Sequence, residues 1–220
     1  MILKGQNLYK HYENKPVLNG VSMVVNKAEI IAITGVSGAG KTTLLNILSG
    51  LEPPDHRSDS SLRLLDNDLL KGSEKDQSMC RNKHMGFVFQ FHGLLDEFSA
   101  LENVLLPGKI AGKDNKILEE RAQRLLQKLN VFKQKDQKPA TLSGGERQRV
   151  AVARSLINEP SIVFADEPSG NLDSINASQL FEMFTELREL TGTAFLMVTH
   201  DKNLAAKADR TITLENGQII

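Results

Sequence analysis

"EIIAITGVSGAGKTTLLNILSG", residues 29–50, joins two signals that together decide the fold. Its first part, "EIIAITG", is a nearly continuous apolar run, the pattern of a strand buried on both faces. The following "GVSGAGKTT", Gly35–Thr43, fits G-x-x-x-x-G-K-[ST] and opens onto an apolar helix. In that setting the loop N–H groups and the helix N-terminus point at the phosphates of a nucleotide. Lys41 is expected to reach the β and γ phosphates and the Thr42 hydroxyl to ligate Mg²⁺, with Gly35, Val36, Ser37, Gly38, Ala39, Gly40 and Thr43 completing the cradle. A nucleoside triphosphate is the ligand this stretch demands.

A second buried run, "IVFADEP", supplies what a triphosphate site needs next. Four apolar residues end at Asp166, which can hold the Mg²⁺ shell. Glu167 follows directly, a carboxylate where an attacking water would sit and therefore a candidate general base. "AFLMVTH", 194–200, is a third such run and ends at His200. Between the runs lie helical stripes at Ile117, Leu118, Arg121, Leu125 and Leu129, and at Leu180, Phe181, Phe184, Leu187 and Leu190, all expected to face a core. Residues 17–26 alternate as a half-exposed strand, and Asn216-Gly217 between apolar pairs signals a hairpin. Alternating β and α with buried strands implies an α/β fold around a mainly parallel sheet. Segment 53–82, rich in Asp, Ser and Lys, is expected to be irregular.

Composition narrows the setting. The 220 residues, 40% of them hydrophobic, can bury one sizeable core or a core with a smaller lobe. The 27 basic and 27 acidic residues cancel, so no strong global field argues for nucleic acid or an anionic membrane surface, and any basic site must be local. A single cysteine, Cys80, precludes an internal disulfide and fits a reducing compartment. There is no signal-like start and no run of 18 apolar residues, so a soluble, cytoplasmic chain is expected, able to dock onto a membrane-embedded partner. Neither the five histidines nor Cys80 has zinc spacing, which leaves Mg²⁺ as the metal implied.

"TLSGGERQRVAVARSL", 141–156, poses a different question. Ser143 and Glu146 have the spacing of a capping box, which accounts for both. The two glycines between them are unexplained, because glycine in a first turn costs up to about 1 kcal/mol against alanine. Something has to approach that backbone closely.

This stretch, followed by "ADEPSGNLD", resembles the signature motif and the segment after the acidic strand in ATP-binding cassette (ABC) ATPases. The resemblance covers nearly the whole chain. It implies a P-loop NTPase fold in one cassette spanning 1–220, with a small antiparallel β lobe from the N-terminal third and a helical lobe over about 91–158. It also implies a head-to-tail dimer in which Leu142, Ser143, Gly144, Gly145 and Glu146 of one subunit meet the γ phosphate held by the other. By the same resemblance Gln90 reaches Mg²⁺ and the attacking water, His200 contacts the γ phosphate, Asp173 links the two sites, and Tyr12 stacks on adenine. "FQFHGLLDEFSALENVLLP", 89–107, is similar to the branch of the family that serves lipoprotein-releasing transporters. There Phe91, Leu94, Leu95 and Phe98 would meet a helix of an integral membrane subunit at the cytoplasmic face of the inner membrane, unless they are core of the helical lobe. A regulatory branch, which signals through its membrane partner and transports nothing, shares these motifs. DNA-repair relatives do not fit, since only about 50 residues separate Gln90 from Leu142 and no basic surface is evident. Family members usually carry a turn glycine where Asn67 stands, and Asn67 is expected to take the left-handed conformation in its place. No regulatory domain is expected after the final hairpin.

Overall fold

The structure, a computed structural model, describes residues 1–13, 15–170 and 172–220. In chain order the elements are β1 (Leu3–Tyr12), β2 (Lys15–Val25), β3 (Ile30–Thr34), α1 (Lys41–Leu48), β4 (Ser61–Leu64), β5 (Asn67–Asp68), α2 (Glu74–His84), β6 (Met85–Val88), α3 (Ala100–Ile110) and α4 (Asn115–Lys128). They continue with α5 (Gly144–Leu156), β7 (Ile162–Asp166), α6 (Ser174–Thr191), β8 (Ala194–Val198), α7 (Lys202–Ala205), β9 (Arg210–Glu215) and β10 (Gln218–Ile219). Six strands form one sheet in the order β10-β9-β3-β8-β7-β6, parallel throughout except for the terminal β9–β10 hairpin. The other four form an antiparallel sheet, β2-β1-β4-β5.

Burial on both faces is visible residue by residue. Ile31 and Ile33 of β3 face a core shared with α1 and the antiparallel sheet, whereas Ile30 and Ala32 face a second core shared with α3–α6. Phe164 against Val163 in β7, and Leu196 against Phe195 in β8, divide in the same way. That is why these strands read as unbroken apolar runs rather than alternating ones. Strand order then fixes function's geography. With β3, β8, β7 and β6 adjacent and parallel, the chain leaves all four at the same edge, where α/β sheets bind ligands.

Segment 53–82 departs from its irregular expectation, for it holds β4, β5 and most of α2. Helix α2 buries no residue and so has no apolar stripe to announce it. It is held by its ends: Ser73 and Asp76 form a capping box, and Arg81, Lys83 and His84 complement the dipole in the last turn. The left-handed residue of the β4–β5 turn is Leu65 (φ 51°), not Asn67, which lies in β5 and donates to the Leu64 carbonyl at 3.3 Å. Two helical stripes shift as well. Ile117 and Leu190 are exposed, and the inner face of α4 is Leu118, Ala122 and Leu126. The Asn216-Gly217 turn has positive φ at both residues, as a two-residue hairpin of this hand requires.

Candidate functional site

The glycine loop between β3 and α1 is shaped by close backbone approaches. Gly35 has φ 148° and a Cβ there would meet the Leu214 carbonyl at 2.2 Å; Gly40 has φ 97° and a Cβ would meet the Val17 carbonyl at 2.8 Å. Gly40 is the N-cap of α1, with no side-chain cap and no acidic residue in the first turn. The first N–H groups of α1 are thus left for an anion. Val36, Ser37 and Gly38 lie on the surface, Ala39 is buried beneath them, and Lys41 Nζ donates to the carbonyls of Gly35 (2.9 Å) and Val36 (3.0 Å).

Opposite the loop, at the end of β7, Asp166 Oδ1 accepts the Thr42 hydroxyl at 3.3 Å. Burial pushes the Asp166 carboxyl above the usual aspartate range, and the neighbouring Glu167 charge adds to this, while the Thr42 bond and Lys41 oppose it. Glu167 has φ 46°, uncommon for a residue with a Cβ and the kind of strain that clusters at functional sites. Its Oε2 lies 2.8 Å from His200 Nδ1 and accepts the His200 N–H at 3.4 Å. Glu167 is mostly shielded and His200 mostly exposed, 18% against 71% for the side chains, so the pair points outward at the sheet edge. Gln90 approaches from β6: a Cβ on Gly170 would lie 3.1 Å from its Nε2, and the Gly170 N–H donates to the Glu167 carbonyl at 3.0 Å. Lys41, Thr42, Asp166, Glu167, His200 and Gln90 are therefore gathered in one place. The donor set of hydroxyl and carboxylate suits Mg²⁺, which takes one or two protein oxygens and fills the rest of its shell with phosphate and water. Among the described residues no group of three His, Cys, Asp or Glu lies close enough to hold a metal ion.

Tyr12, 45% exposed at the end of β1, donates its hydroxyl to Glu52 Oε2 at 2.7 Å and also meets the Thr43 side chain, the last residue of the phosphate-loop motif. Burial, then the Glu52 bond, raises the phenol above its usual value, while the Thr43 side chain opposes this.

The signature residues form a separate cluster. Ser143 and Glu146 make the capping box of α5, with the Ser143 N–H donating to Glu146 Oε2 at 2.7 Å and Glu146 N–H to Ser143 Oγ at 3.3 Å. Gln134, which sequence reasoning missed, donates to Glu146 Oε1 at 2.8 Å. Leu142 is buried. Among the described residues a Cβ on Gly144 or Gly145 would meet nothing nearer than 4.0 Å, and neither has positive φ, so no described neighbour requires glycine at either position. The atom 4.0 Å from that Cβ on Gly145 is Asn176 Oδ1, and Asn176 donates through its N–H and Nδ2 to Asp173, the N-cap of α6, at 2.8 and 2.9 Å. Signature and Asp173 are thus neighbours. Among the described residues no hydrogen bond joins 142–146 to the phosphate loop.

Of the proposed docking residues, Phe91 (79%), Leu95 (40%) and Phe98 (37%) are exposed, whereas Leu94 packs partly against the core. Beside them runs a groove of about 390 Å³ lined by Phe87, Phe89, Leu106, Ile110 and Arg154 among others. Arg154, another residue missed from sequence, donates to the carbonyls of His92 and Gly93 and so ties the end of α5 to the segment after Gln90.

A phosphate loop at the end of a buried parallel strand, facing an acidic pair on the second strand along, defines a P-loop nucleotide hydrolase. The chain belongs to the ABC transporter family, whose model matches residues 18–170, and is an ATP-binding, ATP-hydrolysing cassette of that family. It is 47% identical over 219 residues to the lipoprotein-releasing system ATP-binding protein LolD of Cytophaga hutchinsonii, covering 100% of this chain and 99% of the relative. The LolD of Legionella pneumophila is 44% identical over 223 residues, covering 100% and 97%. Among solved structures, the ATP-binding cassette MJ0796, a dimer in a post-hydrolysis state with ADP and Pi, matches with a TM-score of 0.88 at 31% identity, covering 99% of this chain and 96% of that one.

Proposed function

We propose that the chain is the ATPase subunit of a lipoprotein-releasing transporter, working as one cassette over 1–220 at the cytoplasmic face of the inner membrane. The observation that carries this reading is the 44–47% identity to LolD proteins along essentially the full length of both chains. In the mechanism, the phosphate loop and α1 N-terminus hold the triphosphate of ATP, Lys41 neutralises the β and γ oxygens, and Tyr12 stacks on the base. Thr42 and Asp166, with Gln90, would hold Mg²⁺, which supplies charge neutralisation at the phosphates. Glu167 takes the proton from the attacking water, and His200, bonded to Glu167, orients it and contacts the γ phosphate. The site is completed by Ser143, Gly144 and Gly145 of a second copy, whose helix N-terminus meets the γ phosphate. The open approach at both glycines supports this arrangement, since no described neighbour in a single copy accounts for them. Asp173, next to that helix, links the two sites. Dimer closure is passed to the membrane subunits through the face around Phe91, Leu95 and Phe98 and the groove beside it.

The test is reconstitution. The chain is purified with its membrane subunits, placed in proteoliposomes holding an acylated lipoprotein, and ATP is added with a soluble lipoprotein acceptor. ATP-dependent release that Glu167→Gln abolishes is expected. Robust ATP hydrolysis without release would overturn the transport reading in favour of a signalling role.

A further inference from the structure

Resting on the reading of Tyr12 as the base-stacking residue, we propose that Glu52 is a positioning residue for nucleotide binding, one that fixes the Tyr12 ring from the far end of the phosphate-binding helix. Tyr12 is the last residue of β1 and pairs with Lys15 across the β1–β2 hairpin. A half-exposed ring at a hairpin tip has little packing to hold it. Its hydroxyl is held by the 2.7 Å bond to Glu52 Oε2, with the Thr43 side chain as a second partner. The other carboxylate oxygen, Oε1, is taken by Lys10 Nζ at 2.8 Å, and the same ammonium donates to the Pro53 carbonyl at 2.8 Å and lies 5.4 Å from the Tyr12 ring centre. Both oxygens of Glu52 are thus committed. Burial works against its charge, but the bonds from Lys10 and Tyr12 keep the carboxyl below the usual glutamate range.

Glu52 itself is anchored to α1. The chain beyond that helix is tied back by Ser49 N–H to the Leu45 carbonyl (3.0 Å), Leu51 N–H to the Asn46 carbonyl (2.9 Å) and Glu52 N–H to the same carbonyl (3.2 Å). One rigid piece therefore holds the triphosphate at its N-terminus and, through Glu52, sets the aromatic surface for the base. Fixing both ends beforehand lowers the ordering cost of binding.

The prediction is tested on the full chain by titration calorimetry with Mg²⁺ and either ATP or inorganic tripolyphosphate, which has no base. Glu52→Ala and Tyr12→Phe, the latter keeping the ring but losing the hydroxyl, should each weaken ATP binding about fivefold, the size of one hydrogen bond's net contribution. Tripolyphosphate binding should not change, and the double variant should be no weaker than either single one. The proposal is overturned if Tyr12→Ala weakens ATP binding but Glu52→Ala does not, if the two losses add, or if Glu52→Ala weakens tripolyphosphate as much as ATP. If Tyr12→Ala leaves ATP affinity intact, the stacking reading itself fails and the role of Glu52 falls with it.

Discussion

Glu167, the proposed general base, is strained at φ 46° and paired with His200 at 2.8 Å. Replacing it with glutamine keeps the size and leaves one oxygen for the imidazole while removing the base. Glu167→Gln is expected to bind ATP normally and to turn over at least about 10²-fold more slowly, as loss of a general base typically does; single-turnover hydrolysis alongside ATP binding checks it. Near-normal hydrolysis would exclude Glu167 as the base. Lys41→Ala should instead lose nucleotide binding, because its ammonium is the charge at the mouth of the loop. At this scale the sequence is most readable, since Lys41, Thr42, Asp166, Glu167 and His200 each follow directly on a buried strand or glycine loop that marks their place. Residues that act by holding others were not readable. Glu52, Gln134 and Arg154 are ordinary polar residues in sequence, and only the fold brings them to Tyr12, Glu146 and the His92–Gly93 carbonyls.

Three helices carry N-terminal capping boxes, and this gives them a pH signature. The carboxyls of Asp76, Glu102 and Glu146 all lie below their ordinary values because backbone or hydroxyl groups of their capping serines donate to them. Each such group contributes stability that is present above its unfolded value, 4.5 for a glutamate, and is lost as pH falls through the lower folded value. Glu146→Gln should therefore flatten part of the acid-side loss of stability, measured by urea unfolding across pH 3–6 (roughly the window in which carboxylates titrate), and a profile identical to the parent's would contradict it. The segment after β6 makes a separate prediction. Leu95 is 40% exposed, so Leu95→Asp should leave the melting temperature nearly unchanged while removing co-purification with the membrane subunits. Unfolding would instead mark Leu95 as core, where a buried charge costs several kcal/mol. Elements with apolar periodicity were legible in advance. Helix α2 was not, because it buries nothing, and neither was the left-handed turn at Leu65, a residue with no chemical preference for it. Ile117 and Leu190 kept the helical period but fell on solvent faces, since periodicity alone does not say where the packed stripe ends.

At the scale of the whole molecule the central claim is that one copy holds two halves of different sites. One edge of the sheet carries the phosphate loop, Asp166, Glu167, Gln90 and His200, the candidate catalytic set, while the α5 N-terminus and Asp173 form a second cluster with no hydrogen bond to the loop among the described residues. The sequence disclosed the oddity, two glycines in a capped helix, but only the fold could show that no described neighbour within the chain needs them. Gly145→Ala has room for its methyl group and takes a helical position, so the isolated chain should be as stable as the parent or more so by up to about 1 kcal/mol, with nucleotide binding intact. Its ATPase activity should nevertheless collapse, because the methyl group would stand where the partner's γ phosphate approaches. The most direct measurement is the ATPase activity of an equal mixture of Gly145→Ala and Lys41→Ala chains, each expected to be inactive alone. In a mixed dimer both defects fall on one composite site and the other site is intact. Since half the dimers are mixed and each keeps one of two sites, recovery of at most roughly a quarter of parental activity is expected for a symmetric dimer. A mixture no more active than its components, or full activity of Gly145→Ala by itself, would contradict the composite site.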